Sequence, residues 1–163
     1  MSSSDRRSFL ALLCALPLAA CGFTPVYAPG GTGGTVRGRI AFAEPDDALA
    51  FSLVARLEDR IGRADGAAYL LDYSIATTDS ALALSDTDDI NRITITGSIA
   101  YTVTEIATGV QVQAGEVSTF TAFASSGSPV ATTAARRDAE QRLMIALADQ
   151  IVSRLLTGAG NWS

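Results

Sequence analysis

Between Ile93 and Val103, apolar Ile93, Ile95, Ile99, Tyr101 and Val103 alternate with Thr94, Thr96, Ser98 and Thr102, and Thr104 follows. A period of two over this length puts all the apolar side chains on one side of an extended chain, so the segment predicts a β-strand with one face to bury. A strand of this kind needs neighbours and a cover, and the surrounding residues supply both. Val36, Gly38, Ile40 and Phe42 alternate with Arg37, Arg39 and Ala41 and predict a short first strand. Pro45, Asp46 and Asp47 suit the opening of a helix, because proline fits the first turn and carboxylates fit the positive end of the helix dipole. Leu49, Leu53, Leu57 and Ile61, with Val54 beside them, form its apolar stripe, and Asp59 is spaced to pair with Arg63. The helix is expected to stop between Gly62 and Gly66.

Tyr69, Leu71, Tyr73 and Ile75 predict a second strand, and Thr108-Gly109 a turn into a fourth, from about Val110 to Phe123, with a bulge near Gly115 where the phase shifts. Ser128-Pro129 opens a last helix whose core stripe is Leu143, Leu147, Ile151 and Leu155, with Met144, Ala148 and Val152 beside it. Arg136 with Glu140 and Asp138 with Arg142 lie at the spacing of helical ion pairs. Gly158 and Gly160 end the helix, leaving residues 159–163 as a tail. The expected fold is α+β: two amphipathic helices on one face of a four-stranded, mostly antiparallel sheet, in the order β-α-β-β-β-α, forming one domain over residues 36–158.

Ahead of this domain, Arg6 and Arg7 precede an apolar run from Phe9 to Ala20, broken by Pro17. A basic start, a short greasy middle and small residues at its end describe an export signal. The run falls short of the roughly 20 residues that a permanent membrane-spanning helix needs. Leu18-Ala19-Ala20-Cys21 resembles the lipobox of bacterial lipoproteins. That resemblance implies removal of residues 1–20, a thioether-linked diacylglycerol on Cys21 and acylation of its new amino group. Gly22 in place of aspartate implies sorting to the outer membrane. Arg6-Arg7-Ser8-Phe9-Leu10 also resembles a twin-arginine signal, with Asp5 departing from that pattern, and a Sec signal fits equally. Residues 28–35, with four glycines, read as a flexible tether reaching on the order of 15 Å; residues 21–35 together form a lipidated N-terminus and tether.

Composition narrows the function. The 12 basic residues are all arginine and there is no histidine, which excludes histidine triads, histidine metal sites, lysine Schiff bases and phosphate-loop lysines. No cofactor or metal is expected. Loss of Asp5, Arg6 and Arg7 with the signal leaves 10 arginines against 16 acidic residues, so nothing draws the chain toward nucleic acid. Anchoring falls to acyl chains, each buried methylene of which contributes about 0.8 kcal/mol. Cys14 leaves with the signal, so no disulfide forms within one mature chain even in an oxidising periplasm.

Cys21-Gly22-Phe23-Thr24-Pro25-Val26-Tyr27 resembles the opening of the lipopolysaccharide-assembly lipoproteins, the LptE-like family in its alphaproteobacterial form. Leu53 and Leu57, Tyr69-x-Leu71, Arg92 before the central strand, Asp138-Ala139, Arg142-Leu143 and Leu147-Ala148-Asp149-x-Ile151 follow in the family's order. The resemblance implies a non-enzymatic subunit at the periplasmic face of the outer membrane that docks in a large LptD-like β-barrel, helps it assemble and aids delivery of lipopolysaccharide to the outer leaflet. The alternative is a free-standing envelope lipid-binding or transporter-auxiliary lipoprotein. The uncharged Thr/Ser face of the strand from Ile93 to Val103 suits a partner, and equally a solvated strand rich in good strand formers. Arg37, Arg39 and Arg92 are candidate lipopolysaccharide contacts, since a guanidinium fork matches phosphate geometry; the same placement suits surface ion pairs. Phe23 and Tyr27 could meet the interface or the barrel. Asp86, Asp88 and Asp89 lack the glycine and glutamate of a calcium loop, at Asn91 and Gly97, and read as a solvated acidic loop rather than a carboxylate hydrolase site. Intact-mass measurement of membrane-extracted protein is expected to show a chain beginning at an acylated Cys21, and Cys21→Ser to abolish the added lipid mass.

Overall fold

The computed structural model describes residues 32–82, 91–125 and 128–162. Its elements are α1 (Thr32–Val36), β1 (Ile40–Phe42), α2 (Ala48–Ile61), β2 (Tyr69–Leu82), β3 (Asn91–Glu105), β4 (Gln111–Ser125) and α3 (Pro129–Gly158), followed by a 3-10 turn, Ala159–Asn161. Beyond the short α1, the chain follows the expected order β-α-β-β-β-α.

Asp47 caps α2: its backbone is extended and its Oδ1 accepts the Ala50 amide at 2.7 Å, supplying one of the donors that a helix start leaves open. Gly62, at φ 83°, ends the helix and donates its amide to Glu58 O at 2.8 Å. Such a φ is free of steric cost only for glycine. Because the helix stops there, Arg63 leaves the i,i+4 position facing Asp59. The expected Asp59–Arg63 pair is replaced by Arg63 with Glu58 (2.8 Å) and Arg56 with Asp59 (2.9 Å). The pairs Arg136–Glu140 and Arg142–Asp138 form as the spacing predicts.

The first strand is shorter than its alternation suggests. Gly38 adopts φ 70° and donates to Ile61 O at 2.9 Å, turning the chain against the end of α2. Val36 therefore closes α1 and is buried, and the extended run is confined to Ile40–Phe42. Of the expected tether, residues 28–31 lie outside the described residues, whereas Thr32–Val36 is helical.

The sheet order is β1-β2-β3-β4. β1 pairs parallel with β2, while β2–β3 and β3–β4 are antiparallel, so the expected mostly antiparallel sheet is corrected to a mixed one. The cause is α2, a crossover that brings the chain back alongside β1 in the same direction. β2–β3 pairing runs without a break from Tyr69↔Glu105 to Leu82↔Arg92. β3–β4 shifts register once: Val103 faces Gln113 and Thr104 faces Gln111, so the extra residue is Val112. The bulge expected at Gly115 is thus displaced. Gly115 stays in register opposite Tyr101, and a Cβ there would lie 2.8 Å from the Tyr101 Oη.

Leu53, Leu57 and Ile61 of α2 and Leu143, Leu147, Ile151 and Leu155 of α3 share one buried cluster with Leu71, Ile95, Ile99, Val103 and Val117. Each such side chain contributes about 1.5–3 kcal/mol by leaving water. Leu49, expected in the α2 stripe, is half-buried against this cluster. α3 is 30 residues, about 45 Å, and β3 is 15 residues, about 50 Å. The two lie together because β3 carries Gly97 where the apolar alternation has a gap: a Cβ at 97 would sit 2.9 Å from Leu143 Cδ2 and 3.2 Å from Leu147 Cδ1. Gly97→Val is expected to destabilise the domain by about 1–3 kcal/mol through overpacking. Combining it with Leu147→Ala should cost clearly less than the sum of the two single losses, measured by denaturant unfolding of the three variants.

Candidate docking surface

Alternation along β2, β3 and β4 sends odd-numbered side chains to the core and leaves even-numbered ones on the opposite face. On β3 that face is Arg92, Thr94, Thr96, Ser98, Ala100, Thr102 and Thr104. From Thr94 to Thr104 it carries no charge. The flanking strands add Ser74, Ala76, Thr78 and Ser80 on one side and Ala114, Ser118, Ala122 and Ala124 on the other. Its acidic groups are Asp72 and Glu116, on the strands that flank β3. Ala100 and Ala114 are small enough to leave a shallow depression of about 590 Å³ beside Asp72, Ser74 and Thr102. Phe120, opposite Thr96, stands 71% exposed on this face, the largest apolar group there. Alternation of β3 made its Thr/Ser face legible in the sequence, but Phe120 stayed hidden because the bulge at Val112 sets the phase of β4.

The three candidate arginines do not converge. Arg37 and Arg39 are exposed between α1 and β1, and the Arg39 guanidinium lies 5.6 Å from the centroid of the Tyr69 ring, a cation–π contact. Tyr69 opens β2 opposite Glu105, the last residue of β3, whereas Arg92 is exposed at the first turn of pairing of β3, opposite Leu82 and Ala124. From Arg92 to Glu105 the strand advances thirteen residue steps, about 40 Å. One phosphorylated head group cannot engage all three. Cys21, Phe23, Tyr27, Asp86, Asp88 and Asp89 lie outside the described residues.

A network that the sequence pattern did not reveal ties the chain's tail to the sheet. Trp162 packs edge-on against Tyr69, centroids 4.6 Å apart at 75°. Tyr69 Oη donates to Trp162 O at 2.8 Å, Trp162 Nε1 donates to Gln113 Oε1 at 3.0 Å, and Gln113 Nε2 donates to Arg154 O at 3.1 Å. The residues involved are far apart in sequence, so no local spacing announces them. Between the helices, Asp149 accepts Arg56 Nε at 3.1 Å and Nη2 at 3.0 Å. That bond, ahead of the Coulomb attraction, raises the Arg56 pKa. Burial, then the charges of Asp46 and Asp47, pushes the Tyr73 phenol up from its ordinary value, and its hydroxyl donates to Ala43 O at 3.3 Å. Among the described residues no group of three or more histidine, cysteine or acidic side chains is placed to hold a metal.

The sequence profile of the lipopolysaccharide-assembly family, LptE, matches residues 36–155, the span from the end of α1 to the last turns of α3. The chain belongs to the LptE family. Solved structures similar to it share the fold at low identity. A lipoprotein of Caulobacter crescentus is 20% identical, with a TM-score of 0.66, over 80% of this chain and 98% of that one. Rare lipoprotein B of Shewanella oneidensis is 15% identical at 0.56, over 76% and 96%. A minor lipoprotein of Acinetobacter baumannii is 11% identical at 0.50, over 73% and 91%. No curated protein sequence matches the chain significantly. This LptE-family domain presents the candidate arginines Arg39 and Arg92 at two separate ends, so their contributions to any lipopolysaccharide association should be independent. Arg39→Ala and Arg92→Ala are expected to add within about 0.5 kcal/mol in the double variant, measured by titration with lipopolysaccharide; a shared head-group site would give clear coupling.

Proposed function

We propose that this chain is a non-enzymatic, acyl-anchored subunit of lipopolysaccharide export at the periplasmic face of the outer membrane. Its two helices cover one face of the sheet, and its even-numbered face docks in or against a large LptD-like β-barrel, whose assembly it aids. Cys21 carries the lipid. The observation that carries this reading is the family match across residues 36–155.

The sheet face supports it physically. Covering a charged side chain with a partner costs several kcal/mol unless the charge is paired, whereas a hydroxyl costs far less and needs only one or two hydrogen bonds from the partner. The β3 face from Thr94 to Thr104 meets that condition along its whole length, and Phe120 beside it offers the exposed aromatic that binding energy concentrates on. Among the described residues α3 is the one helix long and apolar enough to cross a membrane, yet Leu143, Leu147, Ile151 and Leu155 are buried in the domain core. The lipid on Cys21 is therefore the attachment this reading requires.

A photo-crosslinking residue placed at Thr96 or Ser98 is expected to capture a very large barrel protein in intact envelopes, and one at Arg137 on α3 to capture much less. Phe120→Ala should lower co-purification of the barrel by about tenfold, equivalent to about 1.4 kcal/mol, with the melting temperature of the isolated protein unchanged. Recovery of monomer alone would overturn the docking, and equal capture from both faces would overturn the assignment of the even-numbered face as the contact.

A further inference from the structure

The β3–β4 hairpin closes through Ile106, Ala107, Thr108, Gly109 and Val110. Gly109, at φ 70°, donates its amide to Glu105 O at 2.8 Å, and Glu105 N donates to Val110 O at 2.9 Å. Nothing in this turn requires apolar side chains, yet Ile106 is 54% and Val110 58% exposed, one on each side of the turn. The tip is fixed to the end of the domain where the described chain begins. Ile106 N donates to Ala68 O at 2.9 Å, Ala68 N to Arg39 O at 2.9 Å, and Arg39 N to Val36 O at 3.3 Å, the last residue of α1.

One end of the fold thus gathers two exposed aliphatic side chains, the half-buried Trp162 packed on the buried Tyr69, and the exposed Arg37 and Arg39. Aliphatic groups at the extremity, with an amphipathic tryptophan and guanidinium groups behind them, match the chemistry of a bilayer–water interface. The chain's connection to the membrane points the same way. Thr32 follows Cys21 by eleven residues, at most about 40 Å of extended chain, so a lipid on Cys21 tethers the domain by this end and within that distance of the bilayer. Two aliphatic side chains bind a membrane weakly alone, but a tethered contact is intramolecular and needs little intrinsic affinity.

We propose that this end is a lipid-contact surface, in which the Ile106–Val110 tip enters the head-group region of the leaflet that holds the acyl chains. The contact rests on the reading of Cys21 as the anchor. Asp65 and Glu105 sit at the same end as Arg37 and Arg39, and Glu105 Oε2 accepts the Thr108 hydroxyl at 2.6 Å. With these charges near balance, the contact is apolar in origin and does not require anionic lipid.

Trp162 is the chain's single tryptophan and belongs to this end, so its fluorescence reports the contact. Full-length acylated protein in phosphatidylcholine vesicles with brominated acyl chains is expected to show Trp162 quenched relative to unbrominated vesicles. The Ile106→Ser/Val110→Ser variant should still float with the vesicles and melt normally, while losing more than half of that quenching. Floating protein with unquenched Trp162, or a variant quenched as strongly as the parent, overturns the tip contact alone. Protein that does not float at all overturns the anchor reading and the contact with it.

Discussion

The packing of α3 along the sheet at Gly97 is the interaction on which the other features depend. A helix of about 45 Å lies along strands of similar length, and its leucine row comes closest to a strand where that strand carries no side chain. Gly97 is that position, with Leu143 and Leu147 occupying the space its missing side chain leaves. Once α3 is seated, its row of Leu143, Leu147, Ile151 and Leu155 joins the α2 row of Leu53, Leu57 and Ile61 in one cluster. The clamp of Asp149 on Arg56 joins the two helices on their outer side. Exposure of that clamp keeps its own contribution small beside that of the apolar rows it bridges.

Committing the apolar stripes of both helices inward determines what is left outside. The sheet's even-numbered face is hydroxyl and alanine on its central strand, and α3, despite a length and composition compatible with a membrane span, has its leucines occupied. The outer edge of β4 is partly covered as well: Gln150 Nε2 donates to Ser118 O at 3.4 Å, and Arg142 Nη2 reaches Ala122 O. Covering a strand edge in this way restrains indiscriminate pairing with other chains. What remains available is a broad face rather than an edge on that side, which suits a fitted protein partner better than a small ligand.

Much of this was legible from local pattern, because the strongest determinants act within one element. The start of α2 near Asp47, the four-residue spacing of the helix stripes and the alternation of β3 each depend on neighbours a few residues away. Pro45 and Asp46, however, precede the helix, and Asp47 caps it rather than lying in its first turn. The failures share a different origin. Gly38 reads as one more alternating position until its hydrogen bond to the end of α2 requires a positive φ, and that converts Val36 from strand to helix end. Arg63 reads as a partner for Asp59 until Gly62 stops the helix. The bulge at Val112 and the Tyr69–Trp162–Gln113 network are set by contacts between residues that sequence spacing does not relate. For the candidate site the division is the same: the uncharged face of β3 follows from alternation, while the separation of Arg39 from Arg92 follows only from the antiparallel register.

That register gives the domain two unlike ends. Pairing of Tyr69 with Glu105 and of Leu82 with Arg92 places β2's start and β3's finish together, with the β3–β4 turn, α1 and Trp162 beside them. Fifteen residues of β3 span about 50 Å, so Arg39, beside Tyr69, and Arg92, opposite Leu82, lie at opposite ends of the domain. Between those ends the β3 face from Thr94 to Thr104 carries no charge, so the same strand offers a neutral surface along its length and a cationic group near each extremity, and the two kinds of surface can meet different surroundings at once.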